Sequence, residues 1–376
     1  MKKVLLVPDS FKGTMSSTEI CTIMQDAIKA YYPGVELISL PVADGGEGSV
    51  DAFLTALGGE KKTVSVQGPF GREMKSFFGI LKNGTAVIEM AACAGLPLVG
   101  KELNPTLTTT YGAGELIKAA LDAGCKKVVM GIGGSATNDG GCGTAAALGV
   151  KFYDKNGEVF VPTGGTLHKI ERIDKSGLDP RLQKIELVTM CDIDNPLYGE
   201  TGAAYIFGPQ KGADPEMVKF LDAGLRHLAE IVKKEFSLDT AMTAGAGAAG
   251  GMGYGMKVFL GSAVQMGIET VLDTVNFDEL VKGADCVFSG EGKIDTQSLR
   301  GKVVIGIARR TKKANVPLIA VVGDIGDDIE SAYDMGVSAI FSINRLAVDF
   351  SKAQLRAKSD LSLTMKNIMR FLKTMT

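Results

Sequence analysis

The chain has 376 residues, of which 45% are hydrophobic and 22% charged, a balance that fits a folded globular protein of about two domains and excludes disordered or fibrous classes. Its net charge of -2 offers no broad basic field for nucleic acid or an anionic membrane, so binding must come from local sites. Glycine stands out at 48 residues, well above its usual share of roughly 7%, and clustered glycines let backbone approach a ligand closely.

In chain order, Val4–Val7 is a short apolar run that predicts a buried parallel strand, and Pro8-Asp9-Ser10 ends it too soon for a secretion signal. Apolar residues at helical spacing (Ile20, Ile23, Met24, Ala27, Ile28) predict a helix over residues 16–31, with Ser16 or Ser17 as cap. A second strand over 35–40 and a helix over 47–57 follow. From Lys61 to Glu89 the pattern alternates around Gly68-Pro69 and Asn83-Gly84, which predicts hairpins. A helix at 112–121, a strand at 127–130, a glycine turn and an alanine-rich helix to Leu148 restore α/β order. A strand over 185–189 and a helix within 215–235 come next, then the glycine-dense stretch 244–255, expected to be a close-packed binding loop rather than a linker. Strands at 286–289, 318–322 and 339–342, each followed by helical pattern, complete a doubly wound arrangement. The expected fold is therefore α/β with two α/β domains: residues 1–60 plus 283–376 form a doubly wound parallel sheet from both chain ends, and 61–282 an inserted mixed-sheet domain carrying the glycine loop.

Candidate chemistry gathers in loops after strands. Residues Gly131 to Gly141 (GIGGSATNDGG) follow a strand and open a helix, so their amides are expected to cradle phosphate at Gly133, Gly134, Ser135, Thr137 and Asn138. The same glycines match a dinucleotide fingerprint, with Asp154 as the acid that would bind ribose, which keeps an NAD-linked oxidoreductase open as an alternative. The polar Thr137-Asn138-Asp139 favours a metal and phosphate instead. Ser10 and Lys12 follow the first strand, Asp44 and Glu47 the second, and Glu291 with Lys293 and Asp295 the strand at 286–289. Asp192 and Lys211 occupy two further loops. Acids and lysines at strand ends suit a magnesium and phosphoryl site. The two histidines, His168 and His227, and the six scattered cysteines show no metal or triad spacing, and the cysteines read as reduced core residues of a cytoplasmic protein.

Taken together, Asp9–Gly13 (DSFKG), Ala43–Gly48 (ADGGEG), Thr108–Gly112 (TTTYG), the Gly131 loop, Phe207–Gly212 (FGPQKG), Gly245–Gly251 (GAGAAGG) and Gly290–Asp295 (GEGKID) resemble the type-1 glycerate kinase family, in order and over nearly the whole chain. The resemblance implies a flavodoxin-like domain beside a second α/β domain, an active site in the cleft between them, and ATP-dependent phosphorylation of D-glycerate with Mg²⁺, giving 2-phosphoglycerate. Within it Asp44 is the first candidate proton acceptor and Asp192 the second. Lys12 and Lys211 would hold the glycerate carboxylate or the moving phosphoryl, Ser10 and Glu47 would contact substrate, and Asp139, Asp192 and Glu291 would bind Mg²⁺. The partners expected are glycerate and ATP, with no nucleic acid and no membrane. A non-enzymatic small-acid binding protein is the remaining alternative. Lys293, where the family often has Arg, and Met190, where it usually has a small residue, are the departures.

Overall fold

The structure is a computed structural model and describes residues 1–42 and 45–375. Its two principal sheets contain, in chain order, β1 (Lys3–Pro8), β2 (Glu36–Ser39), β3 (Gly59–Gln67), β4 (Glu73–Leu81), β5 (Thr85–Glu89), β6 (Lys127–Gly131), β7 (Glu186–Met190), β8 (Ala263–Gln265), β9 (Cys286–Gly290), β10 (Leu318–Val322) and β11 (Val337–Ser342). The helices that matter below are α1 (Ser17–Lys29), α2 (Ser49–Leu57), α3 (Tyr111–Asp122), α4 (Cys142–Ala147), α5 (Pro215–Phe236), α6 (Ala248–Leu260), α7 (Val303–Lys313) and α8 (Phe350–Thr374). The chain divides into two compact units: Met1–Asp44, Thr55–Leu57 and Met266–Thr376 form the first, Gly45–Leu54 and Gly58–Gln265 the second.

The first unit holds a five-stranded sheet in the order β11-β10-β9-β1-β2, with every pair parallel. Read from β2 inward, this is the flavodoxin-like order, as expected. Parallel strands covered on both faces must be apolar throughout, and Val4 to Val7 are fully buried. Val4, Leu6, Phe288 and Val321 meet Ile20 and Met24 of α1 and Leu361 and Met365 of α8 in one core. Each such side chain taken out of water contributes on the order of 1.5–3 kcal/mol. Ser16 and Glu19 form a reciprocal capping box at the start of α1, which is why that helix begins where the sequence places it.

The second unit holds a six-stranded mixed sheet, β8-β7-β6-β5-β4-β3. The hairpin strands β3, β4 and β5 run antiparallel, while β5, β6, β7 and β8 run parallel. All six cysteines are buried and free. His227 Nε2 lies 2.7 Å from the Ile170 carbonyl, and His168 packs edge-on against Phe220, so both histidines have structural surroundings. No helix among the described residues is long and apolar enough to cross a membrane.

The glycine-dense stretch 244–255 differs in part from expectation: it is a tight turn leading into α6, with Ala249, Gly250 and Gly251 in left-handed conformation. A Cβ on Gly250 would lie 2.0 Å from the Thr137 carbonyl oxygen, and one on Gly255 2.4 Å from that of Gly140. These glycines exist so that this segment can press on the backbone of the loop after β6. Close packing, the predicted character, is present, and the surface it serves is another loop of the same unit.

Candidate active-site loops

The loop after β6 is held from three sides. Gly131 and Gly133 lie against the backbone of residues 45–46: a Cβ on Gly131 would sit 2.2 Å from the Gly45 carbonyl oxygen, and one on Gly133 2.9 Å from Gly46 Cα. The Gly133 amide donates to that same Gly45 oxygen (3.1 Å), the Ala136 amide to Ala94, and the Gly140 amide to Gly250. Asp139 closes the loop from within. Its carboxylate, fully buried, accepts from the amide and hydroxyl of Thr110 (2.7 and 2.9 Å) and from the amides of Gly141 (3.0 Å) and Gly143 (3.2 Å).

The amides of Gly141, the N-cap of α4, and of Gly143 in its first turn point at the Asp139 carboxylate. Asp139, expected as a Mg²⁺ ligand, takes four protein donors here, three of them on one oxygen, and anchors the starts of α3 and α4 to each other. Burial pushes its carboxyl up from the usual carboxylate range, and the Thr110, Gly141 and Gly143 donors pull it back. Among the described residues no group of three or more His, Cys, Asp and Glu side chains is placed to hold a metal ion; of the expected set, Asp139 and Asp192 belong to the second unit and Glu291 to the first.

What the loop does offer is a buried polar cluster. Lys211, only 2% exposed, donates to Ser135 Oγ (2.9 Å) and to the Thr137 carbonyl (2.6 Å). Burial drives its ammonium down to about 7, with Asp139 opposing the shift. Thr137 Oγ1 and both amide atoms of Asn138 are buried and find no hydrogen-bond partner. Buried polar atoms are rarely left so, and a cluster of them beside a desolvated cation points to an oxygen-rich anionic ligand. Gly134, at φ +75°, is exposed on the outer turn.

The other expected residues are distributed as follows. Asp192 lies half-buried in the loop after β7, and Glu47 is exposed just before α2. Asp44, the first candidate proton acceptor, lies outside the described residues. Ser10 follows β1, its amide donating to Asp9 Oδ1 at 2.6 Å, and Lys12 is exposed two residues on. Glu291, next to the end of β9, is 5% exposed, and its Oε1 has no partner. Burial pushes its carboxyl up to about 7; Ser298 opposes this and Asp9 adds to it.

Sequence reasoning missed Glu89. At the end of β5 and 2% exposed, it accepts from the amides of Gly48 (3.1 Å) and Val50 (2.6 Å), and so caps α2, whose own N-cap residue Gly48 has no side chain to do so. An acid closing an apolar strand was the available signal. Asp154, the acid of the dinucleotide alternative, instead turns a hairpin in a small antiparallel sheet, accepting from the amides of Asn156 and Glu158. It is not on a parallel strand beside β6, which the dinucleotide fold requires.

Parallel strands that end in loops of glycine, lysine and buried acid place the chain among α/β enzymes acting on small polar molecules. Comparison with known proteins narrows this. The model of the glycerate kinase family matches residues 4–373. The chain is 44% identical to a glycerate kinase of Bacillus cereus over 97% of each chain, and 44% identical to a glycerate 2-kinase of Escherichia coli over 91% of this chain and 90% of that one. A crystal structure named, provisionally, glycerate kinase 2 from Salmonella typhimurium LT2 superimposes with a TM-score of 0.88 at 39% identity, covering 99% of this chain and 98% of the other. The chain belongs to the glycerate kinase family.

Proposed function

We propose that the protein transfers the γ-phosphoryl group of ATP to a hydroxyl of D-glycerate, with Mg²⁺, and that the product is 2-phosphoglycerate. Family membership over nearly the full length carries the kinase assignment, and the similarity to a protein named glycerate 2-kinase supports the choice of hydroxyl. Phosphoryl transfer asks for positioning and charge neutralisation more than for covalent chemistry. Ser135, Thr137, Asn138 and Lys211 supply donors for anionic oxygens, with Gly134, exposed on the outer turn, leaving the backbone open and Gly133 fixing the turn against Gly45. Lys12 and Ser10, after β1, supply a second cation and a hydroxyl, and Glu47 a substrate contact. A carboxylate accepts the hydroxyl proton as the bond to phosphorus forms; Asp44 is the first candidate and Asp192 the second.

Hard oxygen donors suit Mg²⁺, and the unpartnered Oε1 of Glu291 fits that chemistry, as does a carboxylate at Asp192. The ion would neutralise charge on the phosphates. We place the reaction in the cytoplasm, in keeping with six free cysteines. Phosphorus NMR after incubation with ATP, Mg²⁺ and D-glycerate tests activity and product together. A 2-phosphoglycerate resonance is expected; a 3-phosphoglycerate resonance would correct the regiochemistry, and unconsumed ATP would reject the reading.

A further inference from the structure

The first unit contains a cavity of about 340 Å³ that, of the strand-end residues singled out in the sequence, only Lys12 and Lys293 line. It opens beyond the carboxyl ends of β1, β9, β10 and β11, through Phe11, Gly292, Gly323 and Ile343, and α8 closes it with Phe350, Ala353 and Ala357. In the order β11-β10-β9-β1-β2 the chain leaves β1 toward β2 on one side and returns to β9 on the other. The crevice outside the strand ends at such a reversal is where open α/β sheets bind ligands.

We infer that this cavity seats the adenine and ribose of the nucleotide co-substrate, an inference that rests on ATP being the phosphoryl donor. Its apolar walls include Phe11, Ile343 and Ala357, each less than 7% exposed, and Phe350, 65% exposed; Thr14 and the carboxylates Asp324 and Asp360 also line it, and a ribose hydroxyl can donate to such an acid. Glycerate, a three-carbon acid with two hydroxyls, neither fills this volume nor gains from such walls, whereas a flat heterocycle gains from both. Asn344 and Gln354 at the edge carry amides that can both donate and accept, as the edge of a purine requires. Lys12 and Lys293 also line it and offer point charges to a phosphate chain. The floor is kept open by backbone alone: a Cβ on Gly323 would sit 2.3 Å from the Gly292 carbonyl oxygen, so the two strand-end turns touch without side chains between them. By contrast, much of the backbone of the loop after β6 is engaged inside the protein, and its orphaned atoms are suited to oxygen anions rather than to a base.

The chain has no tryptophan, so Phe350→Trp places a single indole at the rim. ATP, ADP and adenosine should change its fluorescence saturably, tripolyphosphate should not, and a tryptophan introduced instead by Phe160→Trp, in the second unit, should stay silent. Ala353→Trp, which fills the cavity, should raise the KM for ATP about tenfold or more and leave the KM for glycerate within about twofold. Full turnover of ATP and glycerate with no fluorescence response in Phe350→Trp and an unchanged KM for ATP in Ala353→Trp would overturn the location while the kinase reading stands. A response to adenosine in a protein that consumes no ATP would overturn the kinase reading and leave the pocket.

Discussion

Lys211 carries the sharpest prediction, because its burial has a measurable sign. In the unfolded chain its ammonium titrates near 10.5, and in the fold near 7. Between those values the unfolded state holds the extra proton, so stability rises with pH, by at most about 1.4 kcal/mol per pH unit. Below pH 7 both states are protonated and the full cost of burying the charge is present; above 10.5 it has gone. Lys211→Met keeps the length and volume but cannot protonate. It leaves Ser135 Oγ and the Thr137 carbonyl without their donor, a loss of about 1–3 kcal/mol that does not depend on pH. Urea unfolding of both proteins at pH 7, 8 and 9, followed by circular dichroism, gives the difference directly. Wild type should gain about 2 kcal/mol relative to Lys211→Met between pH 7 and 9. A flat difference would show that water or a countercharge keeps Lys211 protonated in the fold, and the account of the site as desolvated would fail.

Asp139→Ala strands four buried donors and should cost more than about 3 kcal/mol by denaturant unfolding; a loss under about 1 kcal/mol would return Asp139 to the list of ligand-facing acids. Gly131→Ala, whose Cβ would meet the Gly45 carbonyl oxygen at 2.2 Å, should lower stability by about 1–3 kcal/mol, and thermal melts with Ala at a position of open space, such as Gly34, provide the reference. Asp192→Asn and Glu291→Gln should each raise the Mg²⁺ concentration needed for half-maximal rate; unchanged titrations in both would remove them from the metal site. Asp44→Asn should lower kcat on the order of 10²–10⁴-fold with ATP affinity near wild type, and a nearly full rate there alongside an inactive, Mg²⁺-competent Asp192→Asn would move the base to Asp192.

Local pattern was enough for the parts of this protein whose physics is local. Val4–Val7, Val128–Met130 and Leu318–Val322 are apolar throughout because a strand buried on both faces has no polar side to show, and Ser16 with Glu19 marks a helix start within four residues of chain. The order of the glycine and acid motifs was also enough to indicate the family. Composition could not say what a given glycine or acid is for. Asp139 looked like a metal ligand because an Asp in a polar glycine loop has the same one-dimensional signature whether it faces solvent or, as here, takes four donors brought from residues 110, 141 and 143. The glycines of 244–255 looked like a binding loop, but only the fold shows that they receive the backbone of residues 137–141. Glu89 reads as a strand end until the start of α2 is placed on it. Strand order and the cavity beyond β1 and β9 were set by tertiary structure alone, since hydrogen-bond partners 282 residues apart, such as Ser289 and Val7, leave no periodic trace in sequence.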